Sequence, residues 1–161
     1  MESLSAWFEK QIFGSGNSAG RAGPVTIIGS GGKTSLIWHL ARRFAEKPRA
    51  VLVTPTAKMF PPAESLPGVT VKGILNPETG KLEALPPGEL EKLPAAYDIV
   101  LIEGDGSRGL PLKGWAEHEP VIPPFTAITV GVLPLWPLGR PVSEEIIHRL
   151  PEFCALTGAV P

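Results

Sequence analysis

Apolar positions fall into short continuous runs that alternate with stretches of helical spacing. "PVTIIG" is apolar, rich in β-branched residues and closed by Gly29, which predicts a buried strand. "KTSLIWHLARRFAEK" then sets Leu36, Ile37, Leu40, Ala41 and Phe44 on one helical face, with His39, Arg42, Arg43 and Glu46 on the other and Pro48 as a stop. "RAVLVT" reads as a second buried strand, and the three together as a right-handed βαβ unit with parallel strands. "YDIVLIEGDGSRG" is a third strand ending in acidic residues, and "FTAITVGVLPL" a fourth. Between them, "VTVKGIL" and "GKLEAL" around "NPET" predict a hairpin or two edge strands, and "PGELEKL" a short helix. At the N-terminus Leu4, Trp7, Phe8 and Ile12 define the packing face of a helix, which "GSGNSAGRAG" connects to the rest, so residues 1–23 read as helix plus linker. "SEEIIHRLPEFCALTG" predicts one or two helical turns, with Ser143 as a cap and Pro151 as a break. Strands alternating with helices imply one α/β domain over residues 1–161, with a mainly parallel sheet flanked by helices and a small β-hairpin at its edge.

Composition narrows the classes of function. A chain of 161 residues can bury a substantial core, and 43% hydrophobic content supplies one, so the 18 glycines and 19 prolines mark rigid loops in a folded domain. A net charge of -1, with no basic run longer than Arg42-Arg43, argues against nucleic acid and against a polybasic membrane patch. Small anions and proteins are the expected partners. Cys154 is the single cysteine, which excludes an internal disulfide and suits a reducing, cytoplasmic setting, and it reads as a small apolar residue. No run approaches the ~20 apolar residues of a membrane helix, and the N-terminus lacks the pattern of an export signal.

The strand-to-helix junction "VTIIGSGGKTSL" carries the strongest chemical signal. The usual phosphate-loop signature, G-x-x-x-x-G-K-S/T, places a glycine five positions before Gly32; here that position is Ile27, and Gly29 stands only three before. The physical uses survive the shortening. Gly29, Ser30, Gly31 and Gly32 let the backbone curl so that N-H groups up to Ser35 converge on a phosphate at the helix N-terminus. Lys33, expected as an exposed lysine at the mouth of the cradle, offsets phosphate charge, and Thr34 offers a hydroxyl to Mg²⁺. The loop therefore predicts Mg²⁺ with ATP or GTP as the ligand.

A second constellation ends the third strand. Glu103 and Asp105 stand at the carboxyl edge, where open α/β sheets bind ligands, as a Walker-B-like pair. Glu103 directly ends the buried run and is expected on the metal side, while Asp105, held less rigidly between glycines, positions substrate or the attacking water. Arg108 is a catalytic candidate, and with Lys113 it can clamp a phosphate or an anionic substrate. Further candidates for substrate contact are Thr54 and Thr56 after the second strand, Lys58 beside them, His118 alone or at a metal with Glu117 and Glu119, and the helical pair His148 and Arg149.

In this order, "VTIIGSGGKTSL", "VLVTPTAKMF", "IVLIEGDGSRGLPLKGWAEHEPVIP" and "EIIHRLPEF" closely resemble the YqeC family from about Val25 onward. The resemblance implies a P-loop NTPase-like fold and an accessory role in maturing the cofactor of selenium-dependent molybdenum hydroxylases, with the hydroxylase or a cofactor-maturation protein as partner. It also implies a further region with an Asn-Lys-x-Asp-like base motif, which this sequence lacks, so the chain is expected to be short of a C-terminal part. The spacing Gly29-x-x-Gly32-Lys33-Thr34 is similar to the phosphate loop of Mur-type ligases as well. Three functions stay open: an NTPase or phosphotransferase, a nucleotide-gated scaffold or delivery protein, and a non-catalytic binder of a pterin dinucleotide.

Overall fold

The computed structural model describes residues 3–13 and 22–161; residues 14–21, most of the expected connector, lie outside the described residues. Five parallel strands form the central sheet: β1 (Val25–Gly29), β2 (Val51–Pro55), β3 (Val69–Val71), β6 (Ile99–Glu103) and β8 (Ile128–Val132), in the order β3-β2-β6-β1-β8. The first βαβ unit runs through helix α2 (Lys33–Ala45), and its strands are parallel as expected. They are not neighbours, because β6 lies between them and pairs with both. The carboxyl ends of β1, β6 and β2 thereby stand side by side, with Ile27 opposite Glu103 and Glu103 opposite Pro55.

The apolar runs are continuous because the sheet is covered on both faces. Successive side chains of a strand point to opposite faces. Ile99 and Leu101 accordingly join Val25, Ile27, Val51 and Val53 in the core under α2, which contributes Ile37, Leu40, Ala41 and Phe44. Val100 and Ile102 join Leu52 on the other face, packed by Leu90 and Leu93. Those two leucines come from one-turn helices α3 (Pro87–Leu90) and α4 (Leu93–Ala96), where the sequence predicts a single short helix. The hairpin is also present, as antiparallel β4 (Ile74–Leu75) and β5 (Leu82–Glu83), but it stands apart from the central sheet, and "VTV" adds to the main sheet as edge strand β3. In helix α1 (Leu4–Phe13) the packing face differs from the expected one: Phe8 is buried and Ile12 and Phe13 lean on the core, while Leu4 and Trp7 remain exposed.

The C-terminal part departs most from expectation. Ile147–His148 is a strand, β9, paired in parallel with β7 (Leu112–Lys113), and helix α5 follows over Leu150–Thr157. Pro151 does not break a helix; it sits in the first turn of α5, where a proline costs no hydrogen bond. Ser143 holds its turn through its carbonyl, which accepts from Ile146 and Ile147. Gly114 fixes the junction, since a Cβ there would lie 2.3 Å from the Phe153 nitrogen and 2.6 Å from the Arg149 oxygen. Both are backbone atoms that cannot rotate away. Gly114→Ala is therefore expected to destabilise the protein by roughly 1–3 kcal/mol, the usual range for overpacking, read as a lower urea midpoint with an unchanged slope.

Candidate functional site

The loop between β1 and α2 is built on left-handed backbone. Gly29, Gly31 and Gly32 have φ of 103°, 59° and 91°, values that side chains with a Cβ rarely tolerate. Gly29 is further fixed by contact, because a Cβ there would sit 2.3 Å from the Val132 oxygen on β8. Ser30 is pinned: its N-H donates to Val132 O (2.9 Å) and its hydroxyl to Pro111 O (2.7 Å). The helical ladder starts only at Leu36, whose N-H reaches the Gly32 carbonyl (2.8 Å). Among the described residues, the N-H groups of Gly31 to Ser35 meet no backbone acceptor, which leaves a run of donors at the start of a 13-residue helix.

Two side chains at this mouth meet across the sheet. The Thr34 hydroxyl donates to Glu103 Oε2 at 2.8 Å. Glu103 is 4% exposed, and its carboxyl is raised above the ordinary range, first by burial and then by the Asp105 charge, against the opposing pull of the Thr34 hydrogen bond and Lys33. A hydroxyl and a carboxylate are hard oxygen ligands, suited to Mg²⁺, which keeps several waters and needs few protein groups. No cluster of three or more His, Cys, Asp or Glu side chains gathers as a protein-only metal site among the described residues.

Lys33 and Asp105 differ from their expected settings. Lys33 is 4% exposed and folds over the loop, its Nζ donating to the Gly29 carbonyl (2.6 Å) and lying 3.4 Å from Asp105 Oδ1. Asp105 is 0% exposed. Both its oxygens accept from the Gly29 N-H (3.0 Å each), and Oδ2 also accepts from Trp115 Nε1 (2.8 Å) and lies 3.3 Å from Lys113 Nζ. A carboxylate so enclosed orders the loop and has no surface left for substrate or water, so the positioning role expected of it is withdrawn. Lys113 is equally occupied, donating to the Gly106 carbonyl (2.6 Å) and to Glu119 Oε2 (2.8 Å), which removes it as a substrate clamp. Arg149 completes the chain by pairing with the same Glu119 oxygen. Burial pushes the Glu119 carboxyl up, but Lys113 and Arg149 outweigh it and hold the group below its usual range.

A cavity of about 900 Å³ opens above the loop. It brings together Gly31, Gly32, Lys33, Thr34 and Glu103 with the more distant candidates Thr56, Lys58, Arg108, His118, His148 and Arg149. Gly29, Ser30, Asp105 and Lys113 stand behind its wall, and Ser35 faces outward from α2. Thr54 is buried in β2, with its hydroxyl unpartnered, and does not reach the cavity. Thr56 lines it but spends its hydroxyl on the Val121 carbonyl (2.7 Å). Lys58 pairs with Glu83 of the hairpin (2.8 Å). His118 is not at a metal with Glu117 and Glu119, since Glu119 serves two cations. His148 and Arg149 are not helical: the first lies in β9, and the second is a left-handed residue (φ 59°) that starts α5. Sequence reasoning missed Phe60 and Lys81, which line the same cavity with the ammonium 4.6 Å from the Phe60 ring, and Trp115 behind Asp105. These three sit in loops or at the hairpin, and no local spacing marks them.

Fold and site together define an α/β protein with a mostly parallel sheet, helices on its faces and a glycine loop at the sheet's carboxyl edge. The model of the YqeC protein family matches residues 25–151, and the chain belongs to that family. It is 34% identical over 157 residues to the uncharacterized protein YqeC of Escherichia coli strain K12, an alignment that takes in 85% of this chain and 61% of the relative. The chain thus spans about three fifths of the length of that relative. No solved structure matches it. Among the described residues, no helix is long and apolar enough to cross a membrane.

Proposed function

We propose that this chain binds Mg²⁺ with ATP or GTP in its glycine loop and acts, as a P-loop NTPase-like accessory protein, in maturing the cofactor of selenium-dependent molybdenum hydroxylases. The observation that carries the nucleotide reading is the Thr34 to Glu103 hydrogen bond. It joins the hydroxyl that opens α2 to the carboxylate that ends β6, beside N-H groups with no backbone acceptor, the arrangement needed to hold Mg²⁺ against a phosphate chain. Thr34 and Glu103 would hold the ion, which supplies positive charge to the β- and γ-phosphates. The N-H groups of Gly31 to Thr34 orient the phosphates, and Lys33 supplies the remaining charge. The maturation role rests on family membership alone.

A gated scaffold or delivery protein is the second reading, favoured by the enclosure of Asp105. With Asp105 and Glu119 both committed to cations and Glu103 assigned to the ion, none of these three acids is left to activate water, and slow turnover follows. Turnover stimulated by a purified hydroxylase and not by small molecules would select this reading.

The pH dependence of Mg²⁺ binding tests the site. Because burial raises the Glu103 pKa above 4.5, its carboxyl is still protonated in a window where an ordinary glutamate is ionised. Folding takes up a proton in that window, so the metal-free protein loses stability as pH rises through the raised value. Mg²⁺ must displace that proton. Apparent Mg²⁺ affinity in the presence of nucleotide should fall about tenfold for each pH unit below the raised value and level off above it. Calorimetric Mg²⁺ titrations across pH check this, and Glu103→Gln should flatten the profile. A profile identical to wild type in that variant removes Glu103 from the metal.

A further inference from the structure

Besides the loop, the same cavity is lined by further cations. Arg108 and Arg149 line it with His148, and these two arginines are the non-glycine residues with positive φ (52° and 59°) among the described residues. A left-handed backbone costs a residue with a Cβ roughly 1–2 kcal/mol, which a glycine at either place would avoid. Arg108 shares its turn with Gly106 and Gly109, so the guanidinium is held at a place where backbone sterics alone favour glycine. The ion pairs leave an excess of positive charge. Lys33, Lys113 and Arg149 share two carboxylates, Asp105 and Glu119. Arg108 adds a further cation with no acidic partner among the described residues. His148 senses this field: burial, Arg149, Arg108 and Lys113 lower its pKa from the ordinary value, against the opposing pull of Glu119.

We propose that Arg108, Arg149 and His148 form a second anion subsite, separate from the glycine loop, which takes the phosphate or carboxylate group of a small co-substrate. A planar guanidinium meets either group in bidentate fashion, and Arg108, free of a competing carboxylate, makes the principal contact. Arg149 stays oriented by Glu119, and His148 by β9, whose pairing with β7 is closed by the Gly114 N-H donating to the His148 carbonyl (2.8 Å). A volume of about 900 Å³ lies near the top of the range of roughly 300–1,000 Å³ for small-molecule sites. That this anion belongs to a co-substrate rests on the nucleotide reading; the subsite itself does not.

The test is calorimetric titration of inorganic phosphate, and in a parallel arm oxalate, into wild type, Arg108→Gly and Lys33→Ala. Glycine is chosen because it keeps the left-handed turn. Two phosphate sites are expected in wild type. Arg108→Gly should weaken one of them at least tenfold, and Lys33→Ala should remove the other. The arm that binds more tightly at the site lost in Arg108→Gly identifies the group as phosphate or carboxylate. One site that responds to Lys33→Ala alone, or no loss in Arg108→Gly for either anion, overturns the subsite and leaves the loop reading standing. Phosphate binding lost in Arg108→Gly and unchanged in Lys33→Ala keeps the subsite and overturns the loop.

Discussion

Lys33→Ala is expected to weaken binding of Mg²⁺ with ATP or GTP at least a hundredfold while shifting the melting temperature by only a few degrees. Contacts between an ammonium and phosphate oxygens contribute about 1.5–3 kcal/mol each when charge-assisted, and a hundredfold loss corresponds to ~2.7 kcal/mol. The small thermal effect cannot be argued from exposure, since Lys33 is buried. It follows from what remains around Asp105 when the ammonium is gone: the Gly29 N-H, the Trp115 indole and Lys113 still satisfy that carboxylate. The Gly29 carbonyl loses its partner and can turn to water in the opened space. Calorimetry with both nucleotides and a thermal melt of the same preparation separate the two effects. Unchanged affinity in a folded variant would remove Lys33 from the ligand and with it the phosphate-loop reading.

Much of this arrangement can be read from the chain before any coordinates. The buried strands are legible because a sheet covered on both faces needs unbroken apolar runs such as Val51 to Val53 and Ile99 to Ile102, and α2 because its polar and apolar faces separate cleanly. The glycine loop is legible because its backbone demands are local. What escapes is decided by contacts between distant segments. Ile147 and His148 make a two-residue strand only because Leu112 and Lys113 lie beside them, and their own sequence has the spacing of a helix turn. The order of the sheet escapes for the same reason, since nothing near β1 or β2 says that β6 will insert between them. Glu103 is legible as a candidate because it ends a buried run, and its carboxylate meets Thr34. The enclosure of Asp105 is not legible, because its glycine neighbours suggest a loose turn, whereas its partners are Gly29, 76 residues away, Lys113 and Trp115.

That enclosure makes Asp105 the residue whose charge should matter most to stability. Asp105→Asn keeps the volume, and with its amide oxygen in place of Oδ2 it can still accept from both Gly29 and Trp115. It removes the negative charge that lies between two buried ammonium groups, at 3.4 Å from Lys33 and 3.3 Å from Lys113. Removing one partner of a buried ion pair costs about 3–5 kcal/mol, because the remaining charge stays out of water without compensation. Here Glu119 continues to serve Lys113, so the lower end of that range applies, and for a chain of this size the melting temperature should fall by about 10 °C. Glu46→Gln is the matching control, since its ion pair with Arg43 lies on the exposed side of α2 and should be worth less than about 0.5 kcal/mol. A double-mutant cycle with Lys113→Met assigns the effect to charge: the cost of Asp105→Asn should shrink when one of the two ammonium groups is already absent. An equal cost in both backgrounds, or a melting temperature matching wild type, would mean that the loop is held by Gly29 and its glycine geometry without help from this carboxylate.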